Sequence, residues 1–139
     1  MKLQYLININ AILSLLFGIA FTLYGPLMMA YFGIPEIPEG SVLLYWHVVA
    51  FARMFGAALL AVGLILWSLR RIAKSSATSP ETRRGIIFSM IFANGAGVFV
   101  ALTQQAQIWS NPAGWATVAV FALLFLGYVY LLVVESRSA

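Results

Sequence analysis

The chain has 139 residues, 63% of them apolar and 9% charged, with a formal net charge of +4. Soluble domains carry about 45–50% apolar and about 25% charged residues, so this chain is short of the charge needed to cover its apolar surface in water. The absence of cysteine excludes disulfides, thiolate catalysis and Cys-ligated metals, and four acidic residues with one histidine leave little for a carboxylate-rich metal site.

Four apolar segments, about 3–24, 43–69, 86–108 and 113–134, each approach the roughly 20 residues needed to cross a hydrocarbon core. They predict one all-α domain, an integral membrane four-helix bundle. The first segment is too long for a signal-peptide core, and no small-x-small cleavage site follows it, so it reads as a retained helix. It opens with Asn8 and Asn10 and carries Ser14, Gly18, Thr22 and Gly25 at helical spacings. The stretch "YGPLMMAYFGIP" after it either rests at the membrane interface or extends the helix past a kink at Pro26. Two prolines and two glycines make "GIPEIPEGS", residues 33–41, an extended turn.

The second segment, "LLYWHVVAFARMFGAALLAVG", holds Arg53 and the only histidine, His47. Counted inward from residue 43, Arg53 lies about ten residues deep, near the midplane. An intramembrane charge is costly and points by default to function. No carboxylate shares that depth, so the expected partners are Asn94 or Gln104, backbone carbonyls, water or a bound anion. The alternative is an arginine that snorkels outward or caps a neighbouring helix. His47 is six residues from Arg53, about 240° around the helix, and reads as an interfacial polar residue, with contact to a ligand or ion as its functional alternative.

Arg70, Arg71, Lys74, Arg83 and Arg84 crowd the next connection. They flank membrane segments and no soluble domain presents them, so they signal topology rather than nucleic-acid binding. "SPETRRG" marks a helix start, with Ser79 as N-cap, Pro80 in the first position and Glu81 in the first turn. In the third segment Gly85, Ser89, Ala93, Gly97 and Ala101 recur every fourth residue. With Gly18, Gly56 and Gly63 on the preceding segments, they are expected to seat helices by close backbone approach. Asn94 and Gln105 return to nearly one face and, with Thr103 and Gln104, form a polar strip. That strip makes interhelical hydrogen bonds, or lines a small polar cavity with Arg53 at its floor. "SNPAGW" starts the fourth helix through Asn111 and Pro112.

The 70–84 connection holds five basic residues, the 34–42 and 109–114 connections none, and Lys2 and Arg137 mark the ends. Both termini are therefore expected in the cytoplasm, with the protein in the cell inner (plasma) membrane. Tyr45, Trp46, Trp109 and Trp115 fall near one predicted boundary and Trp67 near the other.

Through "YGPLMMAYFGIP" and "ARMFGAALLAVGLILWSLRR" the chain resembles small bacterial four-helix membrane proteins of unknown function. Those families pair a proline and a glycine after the first span with an arginine-x-x-glycine run in the second. The resemblance implies a four-span fold and no known activity, cofactor or catalytic residue. Small multidrug exporters are similar in size but need a glutamate in the first helix, where this chain has Asn8, Asn10 and Ser14. Three functions are carried forward. The first is a structural or accessory subunit, a homo-oligomer or part of a larger complex. The second is a small channel or carrier using Arg53 for an anionic or polar solute. The third is a binder or enzyme for a lipophilic ligand, a lipid or quinone, held between helices. General acid–base chemistry lacks a positioned titratable group inside the membrane.

Overall fold

A computed structural model describes residues 3–34, 42–75 and 77–137. All regular structure among them is helical: α1 Leu3–Leu23, α2 Gly25–Tyr31, α3 Val42–Lys74, α4 Pro80–Gln104 and α5 Pro112–Arg137. A π-helical turn, Gln105–Trp109, extends α4. Four of these helices, α1, α3, α4 with its π turn, and α5, are long and apolar enough to cross a membrane. Their outward faces fit that setting. Phe92 is 81% exposed and Leu43 73%, with Phe51, Phe99 and Leu123 close behind. A soluble monomer rarely leaves so much contiguous apolar surface in water.

The helix ends follow from local chemistry. Ser79 accepts a hydrogen bond from the Thr82 backbone N–H, with Pro80 just inside the helix and Glu81 in its first turn. Asn111 does the same for α5, its Oδ1 accepting from the Gly114 N–H at 2.9 Å. The proline at position 26 breaks the first helix: Tyr24 leaves helical geometry, and α2 restarts as a separate short helix packed on α1 and α3. The stretch is thus helical beyond Pro26, as a short helix of its own and not as a kinked extension of α1. Of "GIPEIPEGS", only Gly33 and Ile34 lie among the described residues; Glu36 and Glu39 lie outside them.

The chain forms two antiparallel pairs, α1 with α3 and α4 with α5, joined along α1 and α5. The α1–α3 contact is the more intimate. A Cβ added at Gly56 would sit 2.6 Å from the Thr22 backbone nitrogen, and one at Gly18 2.8 Å from that of Leu60. Gly63 similarly receives the Leu15 side chain. Dispersion contacts between backbones substitute here for a hydrophobic driving force that lipid tails do not supply.

Two clusters of buried residues divide the molecule along its length. At the end carrying Lys74, Arg83 and Arg84 (the basic end), Leu3, Ile7, Leu66, Ile87, Tyr128 and Leu131 bring all four long helices into one core. Arg83 closes that end on Glu135 at 2.7 Å, and the Arg70 guanidinium lies 3.7 Å from the centre of the Trp67 ring. At the other end (the aromatic end), Phe21, Met29, Phe32, Tyr45 and Val49 join α1, α2 and α3. Trp109 reaches them from the π turn, its ring 4.7 Å from that of Phe32. Between these two cores α3 and α4 make almost no direct contact.

Candidate functional site

The gap between α3 and α4 is a half-open cleft of about 660 Å³, within the range of ligand pockets, roughly 300–1,000 Å³. Each long helix gives it one stripe at helical spacing. On α1 the stripe is Asn10, Leu13, Ser14, Phe17 and Phe21; on α3 it is Val48, Phe51, Ala52, Phe55 and Leu59. Ala96, Gly97, Val100, Ala101 and Gln104 line it from α4, and Thr117, Val120, Phe121 and Leu124 from α5. Residues at i, i+3, i+4 and i+7 share a helix face, so all four helices turn one apolar side to the same space. Trp109, Phe32, Met29 and Ile34 close the aromatic end.

Among the described residues no charged side chain lines the cleft; its polar groups are Asn10, Ser14, Gln104, Thr117 and the indole N–H of Trp109. Asn10 and Ser14 are each 8% exposed and lie on one stripe, four residues apart. The Ser14 hydroxyl donates weakly to Asn10 Oδ1 at 3.5 Å. Behind them the fully buried Tyr128 hydroxyl faces Asn10 without completing a hydrogen bond. Leaving such a group unsatisfied costs about 1–3 kcal/mol. The cleft thus has a polar floor toward the basic end and aromatic walls toward the other. Thr117 spends its hydroxyl on the Ala113 carbonyl, leaving Gln104 as the free amide at the upper rim.

The five residues expected to contact a ligand or ion, His47, Arg53, Asn94, Gln104 and Gln105, do not come together. Arg53 is exposed on α3 and does not line the cleft. Its stem packs on Gly25, where an added Cβ would meet Arg53 Cγ at 3.3 Å, and it makes no hydrogen bond or ion pair among the described residues. Its depth also differs from the count made from residue 43. The α3 helix has 33 residues, more than a membrane core requires, and Gly56 lies against Thr22 near the end of α1. Measured from Arg70, Arg53 is 17 residues, about 26 Å, along the helix. A core about 30 Å thick with one edge at Arg70 would put Arg53 near its other edge, whereas the count from residue 43 puts it near the midplane.

Asn94 is buried on α4 and donates to the Met90 carbonyl of its own helix at 2.8 Å. Gln105 is buried in the π turn, its Nε2 donating to the Asn111 carbonyl at 3.1 Å, and its side chain fills the space over Gly114. It fastens the α4–α5 connection, in which Ser110 takes a left-handed conformation. His47 is exposed, with Nδ1 2.8 Å from the Leu43 carbonyl one turn back. Only Gln104 of the five faces the cleft.

The packing residues divide in the same way. Gly18 and Gly56 lie at the α1–α3 contact, and Gly97 lies against the Phe121 ring. Ser89 and Ala93 are exposed in the single chain, and Gly85 has open space around it. The four-residue stripe on α4 therefore meets α5 only in its second half. Asn10, Ser14 and the phenylalanines of α1 were missed as a site. Their signal is the i, i+3, i+4, i+7 register of Asn10, Leu13, Ser14 and Phe17, which any packed membrane helix also shows.

No family model, curated protein or solved structure matches this chain.

Proposed function

We propose that this multi-pass membrane protein takes up a lipophilic molecule from the bilayer and holds it in the cleft between α3 and α4. The supporting observation is a space of about 660 Å³ lined by four apolar helix stripes and, among the described residues, by no charge. Water in such a space finds few partners, since it needs two to four polar groups, whereas an acyl or isoprenoid chain replaces lipid contacts at little cost. The same lining disfavours passage of an anionic solute, and Arg53 lies outside it. In this reading the protein acts as a binding or accessory component of the inner membrane. The chemistry, if any, is carried out by what it binds or by a partner.

The test is purification in mild detergent followed by mass spectrometry of the organic extract. Wild-type protein is expected to retain a discrete lipophilic species in near-stoichiometric amount. Val100→Trp, which fills the cleft from a position 53% exposed in the single chain, is expected to lose it while keeping its thermal midpoint. Equal retention by both proteins contradicts the proposal. We place both termini and the 70–84 connection in the cytoplasm, because the basic residues gather at that end. Cysteines at Ala77 and Ser110 should then label from opposite sides, Ala77 from the cytoplasm; labelling from one side overturns this topology.

A further inference from the structure

We infer that the molecule held in the cleft is a neutral, long-chain lipid with a carbonyl head of the isoprenoid-quinone type, lying with its head at Asn10 and Ser14 and its chain toward Trp109. This rests on the cleft being a ligand site, and adds the chemistry and direction of the ligand.

Three observations carry it. First, the polar floor is built rather than incidental. Asn10 and Ser14 are more than nine-tenths buried, yet both line the cleft. Asn10 Oδ1 accepts the Ser14 hydroxyl, and the amide Nδ2 faces the Tyr128 hydroxyl oxygen, which can take one of its two N–H groups and leaves the other for a ligand. The buried Tyr128 hydroxyl behind it faces that amide without completing a hydrogen bond. A buried amide donor wants an acceptor oxygen, and a ligand carbonyl supplies one without introducing a second unsatisfied donor.

Second, among the described residues no cation lines the cleft. A carboxylate or phosphate head placed at Asn10 would be a buried charge with no counter-ion, which is far costlier than a neutral carbonyl. Apart from Arg53, which is exposed beside Gly25 and outside the cleft, the described basic side chains gather at the end of the molecule beyond the closed core, with Arg83 paired to Glu135. A phospholipid head at the floor is therefore excluded on charge.

Third, shape sets direction. From Asn10 to Phe21 the α1 stripe runs eleven residues, about 16 Å, and its polar members are confined to the first two turns. Beyond Ser14 the walls are Phe17, Phe21, Phe55 and Phe121, which suit a chain and offer it no hydrogen bond. The gap between α3 and α4 gives the chain its exit to lipid.

The probes are decylubiquinone and decylbenzene, which share a six-membered carbon ring and a ten-carbon chain; the quinone adds two ring carbonyls, two methoxy groups and a methyl, so the part of the preference owed to Asn10 is read from the variants. Binding to the detergent-solubilised protein is read by titration calorimetry for wild type, Asn10→Leu and Ser14→Ala. Decylubiquinone is expected to bind wild type about tenfold more tightly than decylbenzene, the worth of one net neutral hydrogen bond. Asn10→Leu is expected to erase that preference while leaving decylbenzene affinity unchanged. Ser14→Ala, the milder change should the first variant fold poorly, is expected to reduce the preference severalfold. If both probes bind wild type equally, or the preference survives both substitutions, the head assignment is overturned while the cleft remains a lipophile site. If neither probe binds wild type, the cleft reading and the inference fall together. Tighter binding of decanoate than of decylubiquinone at pH 8 would overturn the neutral-head assignment specifically.

Discussion

An arginine on a membrane helix costs least where its guanidinium can reach water and lipid headgroups, and Arg53 stands on the exposed side of α3, level with the break between α1 and α2. The small Gly25 beside it gives the arginine stem a surface to lie along, as long cationic side chains do when they snorkel. Arg53 therefore stands apart from the cleft. Arg53→Met is expected to leave ligand retention unchanged and to shift stability by no more than about 1 kcal/mol, since no partner is left unpaired. Thermal unfolding in detergent, together with mass spectrometry of the retained species, checks both halves. Loss of the species from a stable Arg53→Met protein would return the arginine to the site. The sequence identifies Arg53 as the anomalous residue, but its depth depends on where α3 begins and on what lies beside it. Asn10 shows the reverse case. In sequence it is an ordinary polar residue near the start of a helix; its importance comes from facing a space that four helices make together.

Among the helices, the legible features are those set by neighbours in the chain. The four spans, the Ser79 and Asn111 caps and the break at Pro26 follow from apolar length, capping side chains and a missing N–H. The faces that meet are less legible, because α5 is apolar all round and offers no moment to orient it. The glycines show the difference. Gly56 and Gly85 sit in equally regular small-residue patterns, yet one lies against a backbone and the other in open space. Gly56→Ala is expected to destabilise by about 1–3 kcal/mol by forcing α1 and α3 apart. Gly85→Ala is expected to be neutral, or stabilising by about 0.5–1 kcal/mol through helix propensity. Gly97→Ala is an intermediate case. Its new methyl meets only the Phe121 ring, which borders the cleft and has room to swing into it. It should cost less stability than Gly56→Ala and weaken ligand binding more. Denaturation midpoints of the three variants, with retained ligand quantified in parallel, decide this; equal costs for Gly56→Ala and Gly85→Ala would refute the α1–α3 packing.

For the whole molecule, a closed core at the basic end and splayed helices at the aromatic end produce a cavity that no single segment encodes. The α2 helix contributes to the splay: by carrying Met29 and Phe32 against α3 and Trp109, it caps the cleft's end without drawing α4 onto α3. Two tryptophans at that end provide a built-in comparison. Trp109 lines the cleft, whereas Trp115, 59% exposed, faces outward from α5. The most direct measurement is fluorescence quenching of single-tryptophan proteins, retaining either Trp109 or Trp115, in nanodiscs titrated with a neutral lipid brominated along its chain. Quenching of Trp109 is predicted to saturate at a few brominated molecules per protein and to be displaced by decylubiquinone, while quenching of Trp115 rises in proportion to the brominated fraction. A Trp109 response that tracks the bulk fraction as Trp115 does, with no saturation and no displacement, would contradict the claim that the cleft is a binding site.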